Sequence, residues 1–192
     1  RKLQYVGLAE YRLRKNIMEI IAVQLDLGRQ KERFDFIKSF VDNAEKWGYN
    51  TIILYLECSI RTKVTPFFDE DDTYSIAEIK EIADYIEDKG LLAIPAFENF
   101  YHIEKLLQYK EAANLSEFKD ERIEGRGWSS ERFKRGSVGC TSNPDFNKFF
   151  DAYITEVCSA FRGKYVHMGL DEVFEFAECP RCKARLKAGE TK

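Results

Sequence analysis

The chain has 192 residues, the length of one large domain or two small ones. Its 30 Lys and Arg against 33 Asp and Glu leave a net charge of −3, without the basic stripe that marks a nucleic-acid binder. Hydrophobic residues at 44% and aromatics at 14% exclude a disordered chain, and no stretch approaches the roughly 18 apolar residues of a membrane span. The N-terminus lacks an initiator Met and the apolar run of a signal peptide, so a chain processed or cut from a longer one is expected. Five Cys, an odd number in a chain of this size, do not make a disulfide scaffold.

Residues 1–18 read as a lead-in segment. The run 20–27 (Ile20, Ile21, Ala22, Val23, Gln24, Leu25, Asp26, Leu27) predicts a first, buried strand. Residues 33–47 follow with Phe34, Phe36, Ile37, Phe40, Val41 and Ala44 at the spacing of an amphipathic helix, and Gly48 sits where a helix end wants a residue with positive φ. A second strand is predicted at 51–57, rich in β-branched and aromatic side chains. The next helix opens on Ser75 and Glu78, the spacing of a capping box, and stops at Gly90. A third strand at 91–97 is followed by a short helix at 102–113. The polar, Gly-punctuated stretch from 114 to about 137 predicts a long loop of the kind that is usually functional. Asn143-Pro144 then starts a helix with the stripe Phe146, Phe149, Phe150, Tyr153, Ile154, Val157, Cys158 and Phe161. A fourth strand at 164–170 and a charged helix from about Pro180 complete the reading.

Strands and helices in strict alternation imply an α/β fold with a parallel sheet covered by helices. Two architectures fit: a doubly wound open sheet and a (β/α)8 TIM-type barrel. No Gly-rich phosphate loop follows the first strand, where a dinucleotide-binding domain should carry one, and Gly28 stands alone. A full barrel takes about 250 residues and eight units. Four units here match its first half, so strand order 1-2-3-4 with helices on one side is expected.

In such a barrel the chemistry sits at the C-terminal ends of the strands. Those ends carry Asp26, Glu57, Glu98 with His102, and His167 with Asp171 and Glu172. Polar strand ends are common and can merely solvate a rim, yet ionisable groups from four strands converging on one face are less easily dismissed. Adjacent carboxylates facing one site, as in Asp171-Glu172, repel and raise one pKa, which is what a general acid needs.

The run His167-Met168-Gly169-Leu170-Asp171-Glu172 resembles the His-x-Gly-x-Asp-Glu signature of glycoside hydrolase family 20, the β-N-acetylhexosaminidases. The stretch 94–104, which ends Tyr101-His102-Ile103-Glu104, is similar to the third-strand segment of the hexosaminidase D-like branch, with Tyr101 where that pattern has Gly. The stretch 49–57 is similar to that branch's acidic-ended second strand. On this resemblance 19–192 is the first half of a glycosidase (β/α) barrel, and hydrolysis is retaining and substrate-assisted, outside the usual two-carboxylate scheme. The resemblance implies that Glu172 is the general acid and base. It implies that Asp171 orients the substrate's 2-acetamido group, whose oxygen attacks the anomeric carbon. His167, His102, Asp26, Glu57 and Glu98 become substrate-binding candidates. Family members carry an Arg five residues before the first-strand Asp; here that position is Ile21, with Arg29 the nearby substitute.

The implied partner is a carbohydrate or glycoconjugate substrate, with no nucleic acid, no membrane span and no cofactor. A non-catalytic carbohydrate-binding or scaffold protein that keeps the barrel half is the alternative. The open edges of a half barrel predict self-association or a longer, complete barrel, because Ile21, Val23, Ile53, Leu92, Ile94 and Val166 would otherwise lack part of their opposing layer. Two readings stand for Cys179-Pro180-Arg181-Cys182. The expected one is a reduced thiol pair on a loop or helix start; the other is half of a tetrahedral zinc site that Cys58 and Cys140 would complete.

Overall fold

A computed structural model describes residues 20–118, 137–170, 172–173 and 176–187. The proposed lead-in 1–18, most of the predicted long loop and Asp171 lie outside the described residues. The elements run β1 (Ala22–Asp26), α1 (Phe34–Lys46), β2 (Thr51–Tyr55), β3 (Ile60–Arg61), β4 (Tyr74–Ser75), α2 (Ile76–Asp88), β5 (Leu92–Ala96), α3 (Glu104–Leu107), a 3-10 turn (Ala113–Leu115), α4 (Pro144–Cys158) and α5 (Pro180–Lys187).

Local chemistry explains most boundaries. The capping box at α2 is complete: Glu78 N–H donates to Ser75 Oγ at 3.2 Å, and Ser75 N–H donates to Glu78 Oε2 at 2.7 Å. At α4, the Asn143 side chain accepts from Asp145 N–H at 3.1 Å, with Pro144 at the first helical position. Helix α1 ends where Gly48 takes φ 90°, a left-handed value that a side chain would resist.

β1, β2 and β5 form a parallel sheet in that order. Val23 pairs with Ile52 and Ile52 with Ala93; Leu25 pairs with Leu54 and Leu54 with Pro95. Because side chains alternate, these two rows share one face. That face packs on Ile37, Val41 and Ala44 of α1, Ile79, Ile82 and Ile86 of α2, and Phe146, Phe150, Tyr153 and Val157 of α4 in one buried cluster. Fully burying a Leu, Ile or Phe stabilises by about 1.5–3 kcal/mol relative to exposure, so this face supplies most of the packing. The opposite face carries Gln24, Ile53 and Ile94 in one row and Asp26, Tyr55 and Ala96 in the next.

The predicted fourth strand is reduced to a single parallel bridge between Ala96 and His167. His167 N–H donates to Pro95 O and Phe97 N–H donates to His167 O, both at 2.9 Å. The pairing goes no further because Gly169 (φ 65°) and Leu170 (φ 93°) leave the extended region, and Val166 and Leu170 are exposed. Its position still sets the order as 1-2-3-4, which a doubly wound sheet does not have. The fold is α/β of the TIM-barrel type, with four strand positions.

Two further expectations are corrected, and one element is new. The helix predicted at 102–113 is only α3 and a 3-10 turn, because Tyr109 and Ala112 N–H bond back three residues rather than four. Phe36, placed on the apolar stripe of α1, is 48% exposed. The short parallel pair Ile60–Arg61 with Tyr74–Ser75 was not foreseen; two-residue strands carry no periodicity. Of the side chains expected to lack an opposing layer, Ile94 is buried, Val23, Ile53 and Leu92 are half-buried, and Ile21 and Val166 are exposed. Val23 falls on the helix-covered face. No helix among the described residues is long and apolar enough to cross a membrane.

Candidate active site

The parallel ladder brings the C-terminal ends of β1, β2 and β5 level, with Asp26 paired to Tyr55 and Tyr55 to Ala96. Asp26 holds its own turn: its Oδ1 accepts from Gly28 N–H at 2.9 Å and Arg29 N–H at 3.3 Å. The turn aims Arg29 back across the strand ends. The Arg29 guanidinium lies 3.2 Å from Glu57, 3.6 Å from Asp26 and 3.9 Å from Glu104. One half-exposed cation thus bridges β1, β2 and α3.

Glu57 is 3% exposed, and burial pushes its carboxyl up to about 8 against the pull of Arg29, helped by the neighbouring carboxylates Glu104, Asp26 and Glu98. The Tyr55 phenol is raised as well, chiefly by burial and then by Glu57 and Glu98. Glu98 is 2% exposed and hydrogen-bonds Tyr55.

The second half of the site is built by the loops after β5 and after His167. Gly139 N–H donates to Phe100 O at 2.7 Å and Ile103 N–H to Ser137 O at 3.3 Å, which ties residues 100–103 to 137–139. Tyr101, buried against Phe118 and Val138, sets its ring edge-on to His102 with centroids 4.7 Å apart. The residue that departs from the resembled pattern therefore packs beneath the imidazole. His102 Nε2 lies 3.3 Å from Glu172 Oε2. His102 is buried, whereas the Glu172 side chain is 59% exposed. Gly169 lets the two loops meet: a Cβ there would come within 2.5 Å of Phe97 O and 2.6 Å of Glu98 Oε2. Asn99 Nδ2 donates to Met168 O at 2.7 Å across the same junction.

Glu57 (φ 47°), His102 (φ 53°) and Glu172 (φ 52°) all hold left-handed backbone, which non-glycine residues adopt at a cost of roughly 1–3 kcal/mol each. Three such residues at three neighbouring strand ends are a positional clustering of strain. The structure thus brings His102 to Glu172, and Asp26 to Glu57 through Arg29. His167 is exposed, its Nδ1 accepting from Gly169 N–H at 3.3 Å. Glu104, which carries part of the Arg29 cluster, is not among the candidates drawn from the sequence; its His-x-Glu spacing to His102 is the available signal. Tyr55 gave none beyond its place at a strand end.

The cysteines form a separate cluster. The Sγ atoms of Cys140, Cys179 and Cys182 all lie within 4.8 Å of one another. Cys140, not Cys58, joins the Cys-x-x-Cys pair; Cys58 is buried in the main core beside Tyr153.

The arrangement is a carboxylate-rich strand-end face with one His-supported, exposed carboxyl. Comparison with solved structures returns the same fold in sugar-processing enzymes. The β-N-acetylhexosaminidase of Bacteroides fragilis NCTC 9343 is 25% identical with a TM-score of 0.71, over 89% of this chain and 35% of that one. The Flavobacterium johnsoniae chitobiase is 22% identical with a TM-score of 0.73, over 89% and 27%. The exo-β-N-acetylglucosaminidase of Vibrio harveyi is 20% identical with a TM-score of 0.70, over 89% and 30%. The chain thus spans about a third of the length of these relatives. No curated protein matches the sequence. The family model for the glycosyl hydrolase family 20 catalytic domain matches residues 57–192, and with most of its length so matched, the chain belongs to glycosyl hydrolase family 20.

Proposed function

We propose that residues 19–192 are the first half of the catalytic barrel of a β-N-acetylhexosaminidase. The protein then removes terminal β-linked N-acetylhexosamine by substrate-assisted, retaining hydrolysis. The observation that carries the reading is the 3.3 Å contact between buried His102 and exposed Glu172, at the end of the strand position that bears the His-x-Gly-x-Asp-Glu signature. An exposed carboxyl reaches a leaving-group oxygen, and a rigid imidazole behind it fixes its orientation.

In this mechanism Glu172 protonates the departing oxygen while the substrate's acetamido oxygen closes on the anomeric carbon. Glu172 then takes a proton from the water that opens the oxazolinium ring. Asp171 stays ionised and stabilises positive charge on the acetamido nitrogen. His167, Glu98 and Asp26 line the sugar, and Arg29 takes the hydroxyl-binding role open at Ile21, its fork suited to bidentate contact. Glu57, held largely neutral below about pH 8, packs under Arg29 as a buried wall. The Vibrio harveyi enzyme was crystallised with N-acetylglucosamine, which favours a sugar of this class. The segment 94–104 favours the hexosaminidase D-like branch.

Release of nitrophenol from a nitrophenyl N-acetyl-β-glucosaminide by the full-length protein tests the proposal. The expected result is turnover by the parent and, in Glu172→Gln, a loss that is largest on a substrate with a poor leaving group, which needs protonation of the departing oxygen. Binding of N-acetylglucosamine without any turnover by the full-length protein would favour the non-catalytic, carbohydrate-binding alternative.

A further inference from the structure

The thiol cluster beyond Glu172 is not used by the hydrolytic mechanism, and its geometry asks for a ligand. Cys140 Sγ lies 3.7 Å from Cys179 Sγ and 3.7 Å from Cys182 Sγ. Sulfurs bonded at about 2.3 Å to one tetrahedral zinc ion sit about 3.8 Å apart. All three residues are buried, at 2%, 9% and 3% exposure. The Cys-Pro-Arg-Cys turn at the start of α5 adds an N–H donor, Cys182 N–H reaching Cys179 Sγ at 3.4 Å. Glu117 holds the turn from outside, its Oε1 accepting from the N–H groups of Glu178 and of Cys179, the latter at 2.9 Å. Cations ring the cluster: Arg181 lies 4.0 Å from Cys140 Sγ, and Arg185 donates to Ser142 Oγ at 3.3 Å.

We propose that Cys140, Cys179 and Cys182 bind one zinc ion as three thiolates, with an oxygen donor in the fourth position. Neither His joins them among the described residues, since His102 faces Glu172 and His167 pairs with the strand. The oxygen is a water or the Ser142 hydroxyl, which lies 3.2 Å from Cys182 Sγ. Three soft thiolates select zinc over magnesium or calcium, which take oxygen ligands. Binding displaces one proton from each thiol, three in all, and no redox change occurs. The site carries charge −1, which Arg181 and Arg185 offset. Its role is structural: it staples the start of α5 to the 137–142 segment, which is itself bonded to the His102 loop. The ion would thereby fix the C-terminal end of the segment that carries Glu172, whose other end is held by the His167 bridge.

The test reads metal rather than hydrolysis. The intact protein, purified without chelator, should contain close to one zinc per chain by elemental analysis. Cobalt exchanged into it should show thiolate charge-transfer and tetrahedral d–d bands. Cys140→Ser and Cys182→Ser should each lower the affinity for the ion by tenfold or more, whereas Cys158→Ser should leave the stoichiometry unchanged. The wild-type measurements stand even where a variant fails to fold. A reduced, folded protein that takes up neither zinc nor cobalt overturns the proposal, as does a disulfide among these residues that yields no metal site after reduction.

Discussion

The two ends of the sheet treat their acidic residues in opposite ways. At the β1–β2 end, Glu57 is buried, its neighbours are in place, and Arg29 gathers Asp26, Glu57 and Glu104 within 3.9 Å. At the His167 end the backbone is held by one bridge among the described residues, and Glu172 projects into solvent against buried His102. Both carboxyls sit on left-handed backbone at a strand end, so local conformation does not distinguish them. Burial does. A buried carboxyl resists ionisation and suits a wall, whereas an exposed one held from behind is free to meet a substrate.

The largest expected effect separates the two ends by activity. In the full-length protein, Glu172→Gln should lower turnover of substrates with poor leaving groups by about 10²–10⁴-fold, with a melting temperature close to that of the parent because the side chain is exposed. Asp171→Asn should instead lose preference for the 2-acetamido group, read as kcat/KM for paired substrates with and without it. Near-normal rates in both variants would break the assignment of chemistry to this end.

Next in size is the junction that joins the ends. Gly169→Ala puts a Cβ against Phe97 O and Glu98 Oε2 on left-handed backbone. It should destabilise by about 1–3 kcal/mol and move Glu172 off His102. Denaturant unfolding gives the first quantity, and a fall in kcat larger than any change in KM indicates the second. Unchanged stability would mean that the loops adapt.

A pH experiment sharpens the contrast further. Burial in the folded state pushes the Glu57 carboxyl from its ordinary value of 4.5 up to about 8. Between those values the unfolded state binds fewer protons, so stability falls as pH rises. Melting temperature should therefore decline across this window, and Glu57→Gln should flatten the decline; an unaltered slope in the variant would exclude Glu57 as its source.

The smallest effect belongs to Arg29→Ala. Arg29 is half-exposed, and exposed pairs contribute about 0–1 kcal/mol. Glu57 can also respond to its loss by staying neutral, so the change measured by thermal melts near pH 6 should be under about 1 kcal/mol and should grow above pH 8, where Glu57 ionises. An equal effect at both pH values would show that the guanidinium acts through packing alone.

Elements whose cause is local were legible in the sequence. The Ser75–Glu78 box, the Asn143-Pro144 start and the end of α1 at Gly48 depend on groups within a few residues, and each appears where the spacing predicted it. β1, β2 and β5 followed from apolar runs that a parallel sheet requires. The fourth strand expected at 164–170 shrinks to one bridge, since an apolar run reports burial in a sheet only where a neighbour exists to cover it, and Val166, Met168 and Leu170 are exposed.

What the chain order determines by itself is the sequence of strand ends, and with it which ionisable residues share a face. Distances between residues far apart in the chain depend instead on how the loops fold over one another. Only the tertiary structure brought His102 to 3.3 Å from Glu172, set Tyr101 beneath that imidazole, and chose Cys140 rather than Cys58 to meet Cys179 and Cys182. Cys58 follows a strand and Cys140 a predicted loop, and nothing in either neighbourhood says which of them reaches the Cys-x-x-Cys pair. Cys58 packs into the main core beside Tyr153, whereas Cys140 lies on a loop that Leu115 O and Phe100 O hold by hydrogen bonds against the start of α5.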